Sequence, residues 1–183
     1  MTNTLCADVG GTKILAGSVD EYGNIGATVK RRSDISSQEA VIDSIFAILD
    51  RYIDGHGKRN SFQAIGISLV GRVDASTGTW FEIAPTMPSE PVELSRLIEQ
   101  RYGIPAFVGN DVYSAALAEL RWGVGREAGS FAYLNIGTGI ACRLVDHGSM
   151  MGGSHWDAGE VGHILVDMSA RARCSCGRTG CVE

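Results

Sequence analysis

No apolar run in this sequence approaches the roughly 20 residues that a membrane-spanning helix needs. The N-terminus lacks a signal-peptide pattern and enters a strand-like run almost at once, so the expected location is cytoplasmic, with no membrane partner. GxxxxGK[ST] occurs nowhere, which excludes a P-loop. Basic clusters are scarce. Lys30-Arg31-Arg32 and Lys58-Arg59 are short and well separated, and the net charge is −5, which argues against nucleic acid as a partner. Cysteine is also sparse, and three of the five lie in the last ten residues, a distribution that suits a metal site better than disulfides. The other two, Cys6 and Cys142, sit in apolar runs and read as inert core thiols. There is no internal repeat and no low-complexity linker. The 183 residues suffice for one domain with a real core or for two small lobes.

Glycine is abundant, with 24 residues, and it punctuates a strand-rich pattern. Leu5 to Val9, Ile14 to Val19 and Ile25 to Lys30 read as three strands joined by tight turns. Ser36-x-x-Glu39 has the form of a capping box ahead of a helix carrying Val41, Ile45, Ile48, Leu49 and Tyr52 at helical spacing. Ala64 to Leu69 reads as a strand. Pro91 suits the first turn of a helix that buries Leu94, Leu97 and Ile98 and ends near Gly103. Ala106 to Val108 is a strand running into Asn110-Asp111 and a further helix. Phe131 to Ile136 and Ile140 to Val145 flank Gly137-Thr138-Gly139. The order is α/β, with an antiparallel hairpin edge on the first sheet. Gly123, Gly125 and Gly129 mark a change of domain, giving residues 1–120 and 121–183.

His163, Cys174, Cys176 and Cys181 form the sharpest motif. One imidazole and three thiolates make a closed tetrahedral set that suits a structural zinc ion, with no position open for water. Gly177 and Gly180 let the backbone turn sharply between the last two thiols. Glu160 and Glu183 bracket this segment and offer acceptors for vicinal hydroxyls, although each reads equally as an exposed charge. Asp8-Val9-Gly10-Gly11-Thr12-Lys13 is a candidate phosphate hairpin, with Asp8 placed to hold magnesium through water; an ordinary glycine turn explains it as well. Gly137-Thr138-Gly139 repeats that chemistry, and two such hairpins would grip a polyphosphate together. Asp111 is placed to take a proton from a sugar hydroxyl, and Asn110 to bond its neighbours, but by itself Asp111 reads as a helix cap. His56 and His147 read as solvated turn residues. The loops at Gly71-Arg72-Val73-Asp74 and Pro85 to Pro88, the latter carrying Thr86, read equally as pocket linings or plain surface.

These segments, in this order, resemble the ROK family of sugar kinases and repressors, whose fold is actin-like (ribonuclease H-like). The resemblance rests on Asp8 to Lys13, Gly109-Asn110-Asp111, Gly137 to Ile140, Gly159-Glu160-Val161-Gly162-His163 and Cys174 to Glu183. It implies ATP-dependent phosphorylation of a hexose or N-acylhexosamine, usually at the 6-hydroxyl, with Asp111 as the catalytic base. It also implies sugar contacts from Asn110, Glu160, His163 and Glu183, and from Gly71, Arg72 and Thr86. ATP phosphates would lie against Gly10, Gly11, Thr12, Lys13, Gly137, Thr138 and Gly139, with magnesium near Asp8. A structural zinc and a homodimer are further implications, and Gly71-Arg72-Val73 is similar both to the N-acetylmannosamine kinase branch and to some glucokinases.

Two departures qualify the pattern. Ala141-Cys142-Arg143 stand where the family continues with glycines, placing side chains behind the second phosphate hairpin. Family members also continue beyond the position of Glu183, so the resemblance implies an incomplete second domain. The alternatives are therefore a non-catalytic sugar-binding or regulatory protein, or an inactive truncated kinase.

Overall fold

The computed structural model describes residues 3–56, 61–84, 87–169 and 171–183. The chain divides into two compact units, one reaching Ile83 and resuming over Met87–Asp111, the other holding Val112–Glu183. That division falls ahead of the boundary at 120 read from the glycines.

The first unit is a mixed five-stranded sheet in the order β3-β2-β1-β4-β8, from β1 (Asn3–Val9), β2 (Lys13–Asp20), β3 (Ile25–Arg32), β4 (Ala64–Leu69) and β8 (Ala106–Asn110). The opening hairpins are antiparallel, as their tight turns require, while β4 and β8 run parallel to β1. Alternation along β1 buries Leu5, Ala7 and Val9 on one face. Helix α1 (Gln38–His56) buries Val41, Ile45, Ile48, Leu49 and Tyr52 in the same core. Each such side chain contributes about 2 kcal/mol by leaving water. Helix α2 (Leu94–Tyr102) adds Leu94, Ile98 and Tyr102, and ends where Gly103, at φ 71°, donates to the Glu99 carbonyl. Asp50 ties the two helices, accepting from Arg101 at 2.6 Å and from the Tyr102 hydroxyl at 2.8 Å.

Several details differ from the sequence reading. Ser36 does not cap α1: its backbone N–H and hydroxyl both turn to Asp34, and the Ser37 hydroxyl accepts the Ala40 N–H at 3.2 Å instead. Pro91 precedes α2 rather than entering it. Val92–Glu93 (β7) pair with Thr79 and Trp80, which holds them extended and delays the helix to Leu94. Leu97 is exposed. His56 is no turn residue; it closes α1 and stacks on Tyr52 at 4.8 Å. The stretch after β4 is a hairpin, β5 (Arg72–Asp74) and β6 (Thr79–Glu82), which with β7 makes a small antiparallel sheet. It is anchored by Trp80, fully buried, whose indole N–H donates to the Val70 carbonyl at 3.2 Å.

The second unit carries α3 (Asp111–Trp122, begun at the junction), α4 (Gly125–Ala128) and a three-stranded antiparallel sheet β11-β10-β9. Its strands are β9 (Phe131–Ile136), β10 (Ile140–Asp146) and β11 (Ser149–Met150). A 3-10 turn at Val161–His163 leads into the cysteine segment. No helix among the described residues is long and apolar enough to cross a membrane.

Candidate functional site

In the first unit, parallel register brings three candidate segments to one edge of the sheet. Val9 pairs with Leu69, and Leu69 with Asn110, so β1, β4 and β8 end level. The carboxyl ends of parallel strands are where α/β sheets bind ligands. From these ends emerge the Gly10-Gly11-Thr12 turn, the Gly71-Arg72 corner and Asn110-Asp111. The turn is closed by the Gly10 N–H donating to the Lys13 carbonyl at 3.0 Å, and the Thr12 carbonyl accepts the Ser33 N–H at 3.2 Å. Asp8 points across to β4, accepting from the Ser68 hydroxyl at 3.1 Å. Asn110 donates its amide to the Gly71 carbonyl at 2.9 Å, tying the corner to the end of β8. Gly71 holds φ 100°, and a Cβ there would collide with the Glu82 carbonyl, so only glycine fits. Arg72 is engaged by Glu82 at 3.2 Å and lies 4.5 Å over the Phe81 ring. Asp111 occupies the first turn of α3, where the helix dipole favours negative charge. Thr86 lies outside the described residues.

In the second unit, the Gly137-Thr138-Gly139 turn joins β9 and β10, with the Gly137 N–H donating to the Gly139 carbonyl at 2.9 Å. Glu183 docks behind it. Its carboxylate accepts from the Ile140 N–H at 3.1 Å and from the Ser175 hydroxyl at 2.5 Å, and these bonds, the hydroxyl's first, hold its carboxyl below the usual range. Glu183 thus braces the second hairpin against the cysteine segment. Glu160 begins the turn that presents His163, whose N–H donates to the Glu160 carbonyl at 3.1 Å. His155 is exposed in the preceding loop. In that loop Trp156 holds φ 61°, an uncommon conformation for a bulky residue, with its ring set edge-on to Tyr113 at 6.3 Å.

The donor atoms of His163, Cys174, Cys176 and Cys181 all lie within 4.8 Å of one another. The Cys174 Sγ stands 3.4 Å from His163 Nδ1, and the Cys176 and Cys181 sulfurs are 3.9 Å apart. A disulfide needs about 2.05 Å, whereas sulfurs about 2.3 Å from a tetrahedral zinc stand about 3.8 Å from each other. The spacing therefore fits a metal and not a bridge. Backbone turns enforce it: Gly177 and Gly180 hold φ 87° and 84°, and Cys174 donates to the Arg178 carbonyl at 2.9 Å. The thiols differ in character. The Arg178 side chain, donating to Cys176 at 3.5 Å, pulls that thiol down to about 6, while burial pushes Cys181 up to about 11.

Sequence reasoning missed Ser68, Ser175, Arg178 and the part taken by Arg143. Ser175 and Arg178 lie inside the cysteine motif and were open to it. Ser68 and Arg143 meet their partners only through strand register and loop placement.

Comparison with known proteins gives this arrangement its relatives. The family model described as "ROK family" matches residues 4–183. A glucokinase of Streptomyces coelicolor is 33% identical over 180 residues, covering 98% of this chain and 55% of the relative. The DNA-binding transcriptional dual regulator NagC of Escherichia coli is 29% identical over 152 residues, 83% of this chain and 36% of its own length. Among solved structures, a ROK family glucokinase from Streptomyces griseus in complex with glucose and AMPPNP superposes with a TM-score of 0.83 at 34% identity, covering 98% of this chain and 55% of that one. The chain thus spans about half the length of the glucokinases it matches. On the extent of the family match and the identity to the glucokinases, this chain belongs to the ROK family.

Proposed function

We propose that this protein carries the sugar-binding and catalytic part of an ATP-dependent sugar kinase acting at the 6-hydroxyl of a hexose or N-acylhexosamine. The observation that carries the reading is the level ending of β1, β4 and β8, which gathers the Gly10-Gly11-Thr12 turn, Gly71 and Asn110-Asp111 at one sheet edge. A glucose and nucleotide-analogue complex of the similar glucokinase supports it.

In this reading the Asp111 carboxylate accepts the proton of the sugar 6-hydroxyl as that oxygen attacks the γ-phosphorus and ADP leaves. Asn110, held by Gly71, bonds a neighbouring hydroxyl, and Glu160 and Glu183 accept from others, with Gly71, Arg72 and Thr86 lining the sugar side. The turns at Gly10, Gly11, Thr12, Lys13 and at Gly137, Thr138, Gly139 serve the phosphates, and Asp8 serves the magnesium that neutralises them. His163, Cys174, Cys176 and Cys181 hold a structural zinc, whose contribution is to order the loop that presents Glu160 and Glu183. With Nδ1 turned to the thiols, His163 keeps Nε2 for a sugar hydroxyl.

A second reading, a sugar-binding regulator without turnover, is favoured by the match to NagC over 83% of the chain. A coupled ADP-release assay with glucose and N-acetylmannosamine on zinc-replete protein separates the two. Under the kinase reading, turnover depends on sugar, and Asp111→Asn lowers kcat by about 10²–10⁴-fold while leaving sugar affinity nearly unchanged. Sugar binding without turnover in the unaltered chain supports the regulator. Turnover that survives Asp111→Asn overturns the assigned base.

A further inference from the structure

We propose that Arg143 is a positioning residue that fixes the Glu160 carboxylate for sugar recognition. This inference rests on the sugar-binding reading of Glu160. Among the described residues Arg143 is the one charged side chain that is buried, at 6% exposure. It stands in the middle of β10, opposite Tyr133 on β9. Two guanidinium contacts go to the loop that carries Glu160. One terminal nitrogen donates to the Ala158 carbonyl, and the other lies 3.5 Å from the Glu160 carboxylate.

The backbone brings that loop down onto the strand. The Cys142 N–H donates to the Gly159 carbonyl at 2.7 Å. Gly159 at φ 99° and Gly162 approach the Cys142 and Ile140 carbonyls too closely for any Cβ. Glu160 is thus framed by two glycines, with a guanidinium fork beneath it. The Glu160 side chain remains 40% exposed, within reach of an incoming hydroxyl.

A buried ion pair contributes little to stability over an apolar side chain of similar volume, because desolvating the charges offsets their attraction. What a planar fork adds is orientation: two donors fixed relative to each other hold one carboxylate rotamer and its backbone together. A sugar that meets a pre-set acceptor does not spend binding energy on ordering it. Arg143 therefore acts through Glu160, on sugar affinity.

The test measures binding of D-glucose and of N-acetyl-D-mannosamine to the zinc-loaded full chain by isothermal titration calorimetry. Melting temperature and zinc content serve as controls for folding. Arg143→Met, of similar length and apolar, should fold with its zinc and bind sugar about tenfold or more weakly. Glu160→Gln should also weaken binding, and adding Arg143→Met to it should cost nothing further. Arg143→Met that binds like the unaltered chain, or that adds fully to Glu160→Gln, overturns the proposal. Should Arg143→Met fail to fold, Arg143→Lys decides: it keeps the charge without the fork, so weakened binding supports the proposal and unchanged binding overturns it. If the unaltered chain binds neither sugar, the sugar-site reading fails and this inference falls with it, an outcome read before any variant is made.

Discussion

Cys6, read from the sequence as a core thiol, is half-buried outside the apolar core, and shows how partial burial keeps a thiol protonated. It lies on β1 next to Gly66 of the parallel β4, and burial raises its thiol to about 11 from an ordinary value of 9.0. In the folded chain it stays protonated where the unfolded chain would ionise. The raised value means that its contribution to stability is intact below about pH 9 and is lost as pH climbs from there through about 11. Denaturation measured from pH 8 to 11 should show a shallower alkaline loss in Cys6→Ala than in the unaltered chain; identical slopes would place the alkaline transition elsewhere. Gly159 makes the opposite point, since its value lies in what it omits. Alanine there would hold a left-handed φ of 99° and press its Cβ into the Cys142 carbonyl. A strained non-glycine residue costs about 1–3 kcal/mol, so Gly159→Ala should lower the melting temperature of the second unit. An unchanged melting temperature would show that the loop can lift off β10.

At the level of the elements, local signals compete, and the winner is often one residue away from the obvious candidate. Ser36 has the capping-box spacing, yet Asp34 captures it in a turn, and Ser37 accepts the Ala40 N–H instead. Ser37→Ala should therefore cost about 1 kcal/mol of stability, and Ser36→Ala within about 0.5 kcal/mol, both read by chemical denaturation. The reverse ranking would return the cap to Ser36. The same competition explains what was legible in the sequence. β1, β2, β4 and β8 announced themselves because each is a short apolar run bounded by turn residues. The β5–β6 hairpin did not, because its strands are short, with Val73 and Trp80 as isolated buried residues, and Trp80 draws its meaning from the Val70 carbonyl it reaches in the fold. Pro91 misdirected the start of α2 because cross-strand pairing of Val92 and Glu93 with β6 outweighed its preference for a first helical turn. In the candidate site, the His-Cys cluster was readable as a candidate metal set because three of its members crowd into eight residues, and the fold brings their donor atoms within 4.8 Å of one another. Arg143 was not, since its contacts with Ala158 and Glu160 exist only once the 158–160 loop has folded onto β10.

At the scale of the whole chain, the two units are held by different forces. The first has a continuous apolar core running from Leu5 and Val9 through α1 to Trp80, Ile98 and Val108. The second buries little: Val112, Ala116, Cys142, Val145 and Cys181 are its buried apolar residues among those described, while Leu134, Ile136, Val166 and Met168 stay exposed. Little hydrophobic free energy is available to order the segment from Gly159 to Glu183, and a structural zinc would supply it, because metal binding to such donor sets is worth about 10 kcal/mol or more. Metal removal should then act locally. A strong chelator is expected to speed amide exchange across residues 159–183 while β1, β4 and α1 keep their protection. Under the same treatment Cys174, Cys176 and Cys181 should become reactive toward a disulfide reagent, with Cys6 and Cys142 staying shielded. Equal thiol reactivity before and after chelation would remove the metal from the account. Loss of protection in the first unit as well would mean that the ion supports the entire chain. Confinement of the change to the second unit would match the distribution of its buried side chains, and would identify the loop bearing Glu160 and His163 as the part whose order depends on the metal.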